Sequence, residues 1–162
     1  MIIFLSLGSN IGDRLKNLKT AIKLINNEEG IEIINQSKIY ETSPMEYKEQ
    51  DFFLNQVIEI DSNIDASSLL ESFKKIEIQI GRKKTKHKNM PRIIDIDILS
   101  YGDSIINNHN LFIPHPKIKF RKFILKPWSD IAPNYILASS KSTIKDLLNA
   151  ISHLKDQVRE YN

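Results

Sequence analysis

Two carboxylates, Asp95 and Asp97, stand two residues apart in the run Pro91-Arg92-Ile93-Ile94-Asp95-Ile96-Asp97-Ile98-Leu99. In a strand, successive side chains point to opposite faces, so Ile94, Ile96 and Ile98 face one way and the two acids the other, with Cα atoms roughly 6–7 Å apart. Bare carboxylates that close repel one another unless water or a cation separates them. A hard divalent ion held by one or two carboxylates, with water and phosphate oxygens completing its shell, is how Mg²⁺ usually sits in phosphoryl-transfer sites. The same alternation is also ordinary for a strand with one solvated face. The neighbouring segment favours chemistry: Arg82, Lys83, Lys84, Lys86, Lys88 and Arg92, with His87 among them, lead directly into the acids. A site for metal plus polyphosphate needs such cations beside its anions.

Phe53 and Asn55 share one face of the alternating run 52–60. A ring that stacks and an amide that both donates and accepts suit a flat heterocycle; the alternative is a half-buried strand end. His115, between Pro114 and Pro116, is either a structural residue or a donor to a phosphate. Gly8-Ser9-Asn10 closes the first apolar run without the spacing of a Walker loop or a dinucleotide fingerprint. It reads as a structural turn, and any nucleotide must be held another way.

These residues need elements to position them. Residues 2–7 are expected as a buried strand, and Leu15, Leu18, Ile22 and Ile25 recur at helical spacing behind an N-capping Asp13, in a helix that ends before Gly30. Residues 31–42 are strand-like with a shift near Ile34, and 43–51 form a polar loop containing Pro44 and Tyr47. In the strand 52–60, Leu54, Ile58 and Ile60 oppose Phe53, Asn55, Val57 and Glu59. Asp65 caps a second helix whose core stripe is Leu69, Phe73, Ile76 and Ile80; Leu70, Lys74 and Glu77 lie on the adjoining flank, and Gly81 follows the last turn. Residues 101–104 read as a hairpin turn, with Ile105 and Ile106 opening the return strand. Arg121 and Phe123 fall in an irregular or short helical stretch before Pro127 and a core Trp128, and an amphipathic helix starts near Ser142 or Thr143.

This order is the split β-α-β-β-α-β plan. The expected fold class is α+β, a ferredoxin-like sandwich with an added hairpin and C-terminal helices, as one domain over residues 1–162. Helices then cover one face of a mainly antiparallel sheet, and loops or a ligand cover the other.

Composition narrows the function. A length of 162 residues fits one domain, and a net charge of +3 is too small to imply nucleic acid. Cysteine is absent, which excludes disulfides and thiolate metal sites. No apolar run approaches the roughly 20 residues of a membrane span, and the N-terminus lacks the basic region of a signal peptide. The expectation is a cytoplasmic protein with no membrane and no nucleic-acid partner. An RNA-binding module of the same topology would carry an Arg/Lys-Gly-Phe/Tyr-Gly/Ala-Phe-Val-x-Phe/Tyr run, which is missing here.

The run Pro91-Arg92-x-x-Asp95-Ile96-Asp97-Ile98-Leu99, with Leu7-Gly8-Ser9-Asn10, Phe53-Leu54-Asn55 and Pro114-His115, resembles the 6-hydroxymethyl-7,8-dihydropterin pyrophosphokinase family of folate biosynthesis over nearly the whole chain. The resemblance implies transfer of the β,γ-diphosphate of ATP to the pterin hydroxymethyl group, with release of AMP. It implies that Asp95 and Asp97 hold two Mg²⁺ ions bridging the triphosphate, and that Arg82 and Arg92 stabilise charge on the transferring group. Phe53 and Phe123 would sandwich the pterin, whose edge would bond Asn55 and the backbone near Thr42 and Ser43. Leu70 would lie on the ATP side, with Glu77 and Ile98 holding the base and ribose end, while His115, Lys84 and Arg121 would meet phosphates. The implied partners are ATP and the pterin, for a monomer associated with dihydropteroate synthase, and loops 43–51 and 82–92 would close as lids. Departures from the family pattern fall at Met90, where Gly or Ala is common, at Asn89, often Trp, and at Lys84, often Arg. Lysine is a point charge and cannot fork around a phosphate as arginine does. No side chain is assigned as the base for the alcohol proton.

Overall fold

Ile3, Phe4, Leu5 and Leu7 are all buried, so β1 (Ile2–Ser9) is covered on both faces and belongs inside a sheet. The computed structural model describes residues 1–45, 49–83 and 90–162. After β1 come α1 (Arg14–Asn26), β2 (Ile31–Gln36), β3 (Tyr40–Thr42), β4 (Phe53–Ser62), α2 (Ala66–Ile80) and β5 (Asp95–Tyr101). The rest of the chain adds β6 (Ile106–Asn107), β7 (Phe112–Ile113), a 3₁₀ turn (Ile118–Phe120) and α3 (Lys122–Ile131), then β8 (Ile136–Leu137), β9 (Ser142–Thr143), α4 (Ile144–Ala150) and β10 (Val158–Glu160). The main sheet runs β10-β3-β4-β1-β5, with β2 also on β4, and every pairing is antiparallel. This is the α+β, ferredoxin-like arrangement expected.

Local chemistry sets the boundaries. Asp13 accepts from the Lys16 amide and Asp65 from the amides of Ser67 and Ser68, capping α1 and α2. Gly81 ends α2 at φ 116°, a left-handed conformation that suits a residue without Cβ. The shift expected near Ile34 is a break in register between Ile33 and Asn35 that leaves Ile34 exposed.

Alternation along the strands builds two cores. Leu5, Leu7, Leu54, Ile58 and Ile96 pack against Leu18, Ile25, Leu69 and Phe73 of α1 and α2. On the opposite face Phe4, Val57 and Leu99 meet Ile124, Leu125, Trp128 and Ile144. The expectation that loops or a ligand alone would cover this second face needs correction: α3 and α4 cover half of it. Phe4 anchors that half, its ring 5.1 Å from Trp128 and 4.9 Å from Tyr135. The same face of β1 continues as Ser6 and Gly8, which are too small to carry a core, and there the sheet stays open.

Three further differences stand out. α3 runs through Pro127, because the burial of Ile124, Leu125 and Trp128 outweighs the hydrogen bond that proline withholds from the Phe123 carbonyl. The hairpin forms between β6 and β7 and not as a return onto β5; its turn is tied by Asn108 Oδ1, which accepts from the amides of Asn110 and Leu111. The C-terminal β10, which extends the sheet beyond β3, was not expected. No helix among the described residues is long and apolar enough to cross a membrane.

Candidate active site

The open end of the sheet is a floor of two rows. Gly8 lies between Asn55 on β4 and Asp95 on β5, and Ser6 lies between Val57 and Asp97. Above it is a cleft of about 470 Å³ that brings together Thr42, Ser43, Phe53, Asn55, Arg92, Asp95, Asp97, Arg121 and Phe123. Gly8 is needed for close approach: a Cβ there would stand 2.9 Å from Asn55 Oδ1. Gly8→Ala is therefore expected to displace Asn55 and cost about 1–3 kcal/mol, read as a fall of ~2–10 °C in unfolding midpoint. An unchanged midpoint and an unchanged affinity for a cleft ligand would refute this account of the floor.

The acids are less exposed than a solvated pair would be. Asp95 Oδ1 lies 2.5 Å from Arg82 and 3.9 Å from Lys74, its Oδ2 lies 3.1 Å from Arg92 Nε, and its side chain is 19 % exposed. Burial pushes its carboxyl up, but Arg92, Arg82 and Lys74 outweigh burial and hold it below the usual range. Asp97 has no hydrogen bond or ion pair to another described residue. Burial, helped by the neighbouring Asp95 charge, pushes Asp97 up to about 7. Two carboxylates five atoms of backbone apart thus have opposite environments, because only one of them is reached by guanidinium groups. Among the described residues no third His, Asp or Glu completes a metal cluster, so oxygens from a ligand would have to fill the shell of a cation held here.

Glu77 departs most from expectation. β5 is an edge strand, and the Ile96 amide donates outward to Glu77 Oε1 at 2.7 Å. Lys74 Nζ is 2.8 Å from the same oxygen, and Arg82 is 2.7 Å from Oε2. The Glu77 side chain is only 2 % exposed. It seals the strand edge and holds Arg82 beside Asp95, and at this exposure it has almost no side-chain surface to offer a ribose. Ile98 is likewise buried in the first core, and Leu70 packs partly against that core.

Other expected residues have mixed positions. Thr42 Oγ1 accepts from Asn55 Nδ2 at 2.6 Å, which turns Asn55 Oδ1 toward Gly8 as an acceptor. The Ser43 amide donates to the Gln157 carbonyl, so that N–H is already engaged. Phe53 and Phe123 both line the cleft, each with a guanidinium over its ring, Arg92 at 5.3 Å and Arg121 at 5.7 Å. His115 Nδ1 accepts from the Lys117 amide, which leaves the neutral ring its proton on Nε2; it does not line the cleft. Lys84 and Asn89 of the basic loop, and Tyr47 of the other loop, lie outside the described residues.

Asn10 was read only as part of a turn, and the structure gives it more. Its Oδ1 accepts from the Arg92 amide and its own amide donates to the Arg92 carbonyl, while Nδ2 donates to Gln50 and to the Asp51 carbonyl. One buried amide thus joins the ends of both loops. The signal available in sequence was an amide directly after Gly8-Ser9, but its partners lie 40 and 82 residues away.

Paired acids, one of them flanked by guanidinium groups, thus lie beside a two-phenyl cleft on a ferredoxin-like sheet. The chain belongs to the 7,8-dihydro-6-hydroxymethylpterin-pyrophosphokinase (HPPK) family, whose model it matches over residues 4–133. It is 34% identical over 145 residues to the 2-amino-4-hydroxy-6-hydroxymethyldihydropteridine pyrophosphokinase of Methylorubrum extorquens, covering 90% of each protein. It is 37% identical over 150 residues to the folic acid synthesis protein fol1 of Schizosaccharomyces pombe, where it covers 93% of this chain but spans only 20% of that protein. A crystal structure of Plasmodium falciparum HPPK-DHPS with SDX-DHP shares the fold, with a TM-score of 0.77 at 21% identity, over 92% of this chain and 45% of that one.

Proposed function

We propose that this chain transfers diphosphate from ATP to 6-hydroxymethyl-7,8-dihydropterin, giving the pterin diphosphate and AMP in tetrahydrofolate biosynthesis. The observation that carries the proposal is the shared floor: Asn55 and Phe53 on one side of Gly8, Asp95 and Asp97 on the other. A ring-binding group and a polyphosphate-binding group would thus stand on either side of β1, about 10 Å apart, facing one cleft.

The protein does little covalent work in such a reaction; positioning and electrostatics dominate. Asp95 and Asp97 would hold Mg²⁺, two ions in this reading, which offset the triphosphate charge and polarise its oxygens. The donor set fits: hard oxygens, one of them on a carboxylate without a protein partner among the described residues. Arg92, and Arg82 while still held by Glu77, would turn from Asp95 toward the phosphates and stabilise charge on the departing AMP. Loss of one such preorganised donor typically costs about 10²–10³ in rate. Phe53 and Phe123 would stack the pterin, and Asn55 Oδ1 would accept from an N–H on its edge. Arg121, over Phe123, would reach the diphosphate end. Asn10 would keep the Arg92 backbone in register while loops 43–51 and 82–92 close and exclude water, which otherwise competes as nucleophile.

Incubation with Mg²⁺, ATP and hydroxymethyl-dihydropterin is expected to yield AMP and the pterin diphosphate. ADP as the only nucleotide product would reject diphosphoryl transfer. Phe123→Ala is expected to weaken pterin binding about 10–100-fold while changing ATP affinity by less than about threefold; equal losses by calorimetry would mean that the ring stacks elsewhere. We further propose a cytoplasmic monomer, a single pyrophosphokinase unit, that associates with dihydropteroate synthase. The HPPK-DHPS composition of the structural neighbour supports that association. Light scattering of the chain alone and with a synthase tests it, and a stable homodimer or no co-elution would overturn it.

A further inference from the structure

Leu70, Lys74 and Glu77 form one stripe along α2, four and three residues apart and therefore neighbours on the helix surface. Glu77 is buried and committed to Ile96, Lys74 and Arg82, and Leu70 has no polar side-chain atom. Lys74 is the polar group of this stripe that reaches the surface: its side chain is 43 % exposed, with Nζ 2.8 Å from Glu77 Oε1 and 3.9 Å from Asp95 Oδ1. A polyphosphate approaching Asp95 and Asp97 therefore comes within reach of this ammonium. Its departure would be tolerated locally. Glu77 would keep Arg82 and the Ile96 amide, so no buried carboxylate would be left uncompensated. A flexible four-carbon stem with three rotatable donors suits such a handover better than a rigid fork.

We propose that Lys74 is a phosphate-binding residue of the nucleotide site, its ammonium passing from Glu77 and Asp95 to a phosphate oxygen of ATP as the nucleotide binds. The inference rests on the diphosphoryl-transfer reading of this site and adds to it a cation outside the arginines and the basic loop. The contact requires no bond to form or break.

The test is calorimetric titration of the full chain with ATP and Mg²⁺, for wild type, Lys74→Met and Lys74→Arg, alongside thermal unfolding. Met is expected to weaken ATP binding about 10-fold or more, Arg to keep most of the affinity, and both to unfold within about 2 °C of wild type, since Lys74 itself is half-exposed and Glu77 keeps Arg82 and the Ile96 amide. The KM for the pterin at saturating ATP should stay within about twofold of wild type for Met, because the stripe does not border the aromatic cleft. ATP binding by Lys74→Met equal to wild type would overturn the proposal, as would equal losses for ATP and pterin. A wild-type chain that binds ATP through Lys74 yet forms no AMP would instead remove the diphosphoryl-transfer reading and leave the contact standing.

Discussion

Replacing Asp97 by asparagine is expected to abolish diphosphoryl transfer while making the protein more stable than wild type at pH 8. Asp97 lies half-buried in the cleft floor without a direct partner among the described residues, and desolvation beside Asp95 pushes its carboxyl from an ordinary 3.8 up to about 7. The unfolded chain therefore releases this proton near pH 4, whereas the folded chain keeps it until about pH 7. Between those values the folded state binds more protons, so stability falls as pH rises through the window and the full cost is present above it. Asparagine carries no charge and escapes that cost. The expected gain at pH 8 is about 1–3 kcal/mol, or ~2–10 °C, shrinking toward zero at pH 4.

The same substitution removes a carboxylate from the proposed metal position, for an expected loss of at least about 10³ in AMP release. A proton on Asp97 also competes with a cation, so the apparent affinity of wild type for Mg²⁺ with ATP should rise as pH climbs through about 7. Melting curves at pH 4 and 8, with AMP release at pH 8, decide the matter. An Asp97→Asn protein that melts lower than wild type at pH 8, or that keeps a tenth of its turnover, would show that the acid is held by contacts other than those described.

Glu77→Ala is expected to have the opposite effect on stability. It would leave the Ile96 amide without its acceptor on the edge of the sheet and strip Arg82 of one of two carboxylates, both in a buried setting. Removing one partner of a buried ion pair typically costs about 3–5 kcal/mol, here an unfolding midpoint lower by ~6–20 °C. Glu77→Gln keeps an oxygen for Ile96 and should recover part of that loss. Its activity should still fall by at least about 10-fold, because Arg82 would no longer be steered by two charges. That separation of stability from rate is what a positioning residue predicts. A ribose contact would instead raise the KM for ATP in Glu77→Gln with little change in midpoint, and steady-state kinetics would show it.

These two residues also show how far local pattern carries. Asp95 and Asp97 were legible as a pair on one strand face because alternation is a property of the backbone, independent of what surrounds it. Asp13, Asp65 and Gly81 were legible as helix boundaries for the same reason: a cap is satisfied within a few residues of itself. Glu77 is legible only as a residue on the flank beside the core stripe, since helical periodicity gives direction around the helix axis but not the distance to the nearest strand. Only the docking of α2 along the free edge of β5 brings the Ile96 amide to it. Asn10 was hidden in the same way, its value resting on the arrival of Arg92 and Gln50 from distant parts of the chain.

The order of elements from β1 to β5, the face on which each acid and amide of the sheet stands, and the nearness of Arg82 and Arg92 to the acids follow from spacing along the backbone. Which half of the second sheet face would be closed depended on tertiary packing. Phe4 finds Trp128 and Tyr135, whereas Ser6 and Gly8 find nothing to bury, and the cleft is the remainder. The unequal state of the two acids was decided there as well, since charge interactions depend on distance through space, and Arg82 and Arg92 reach Asp95 but not Asp97.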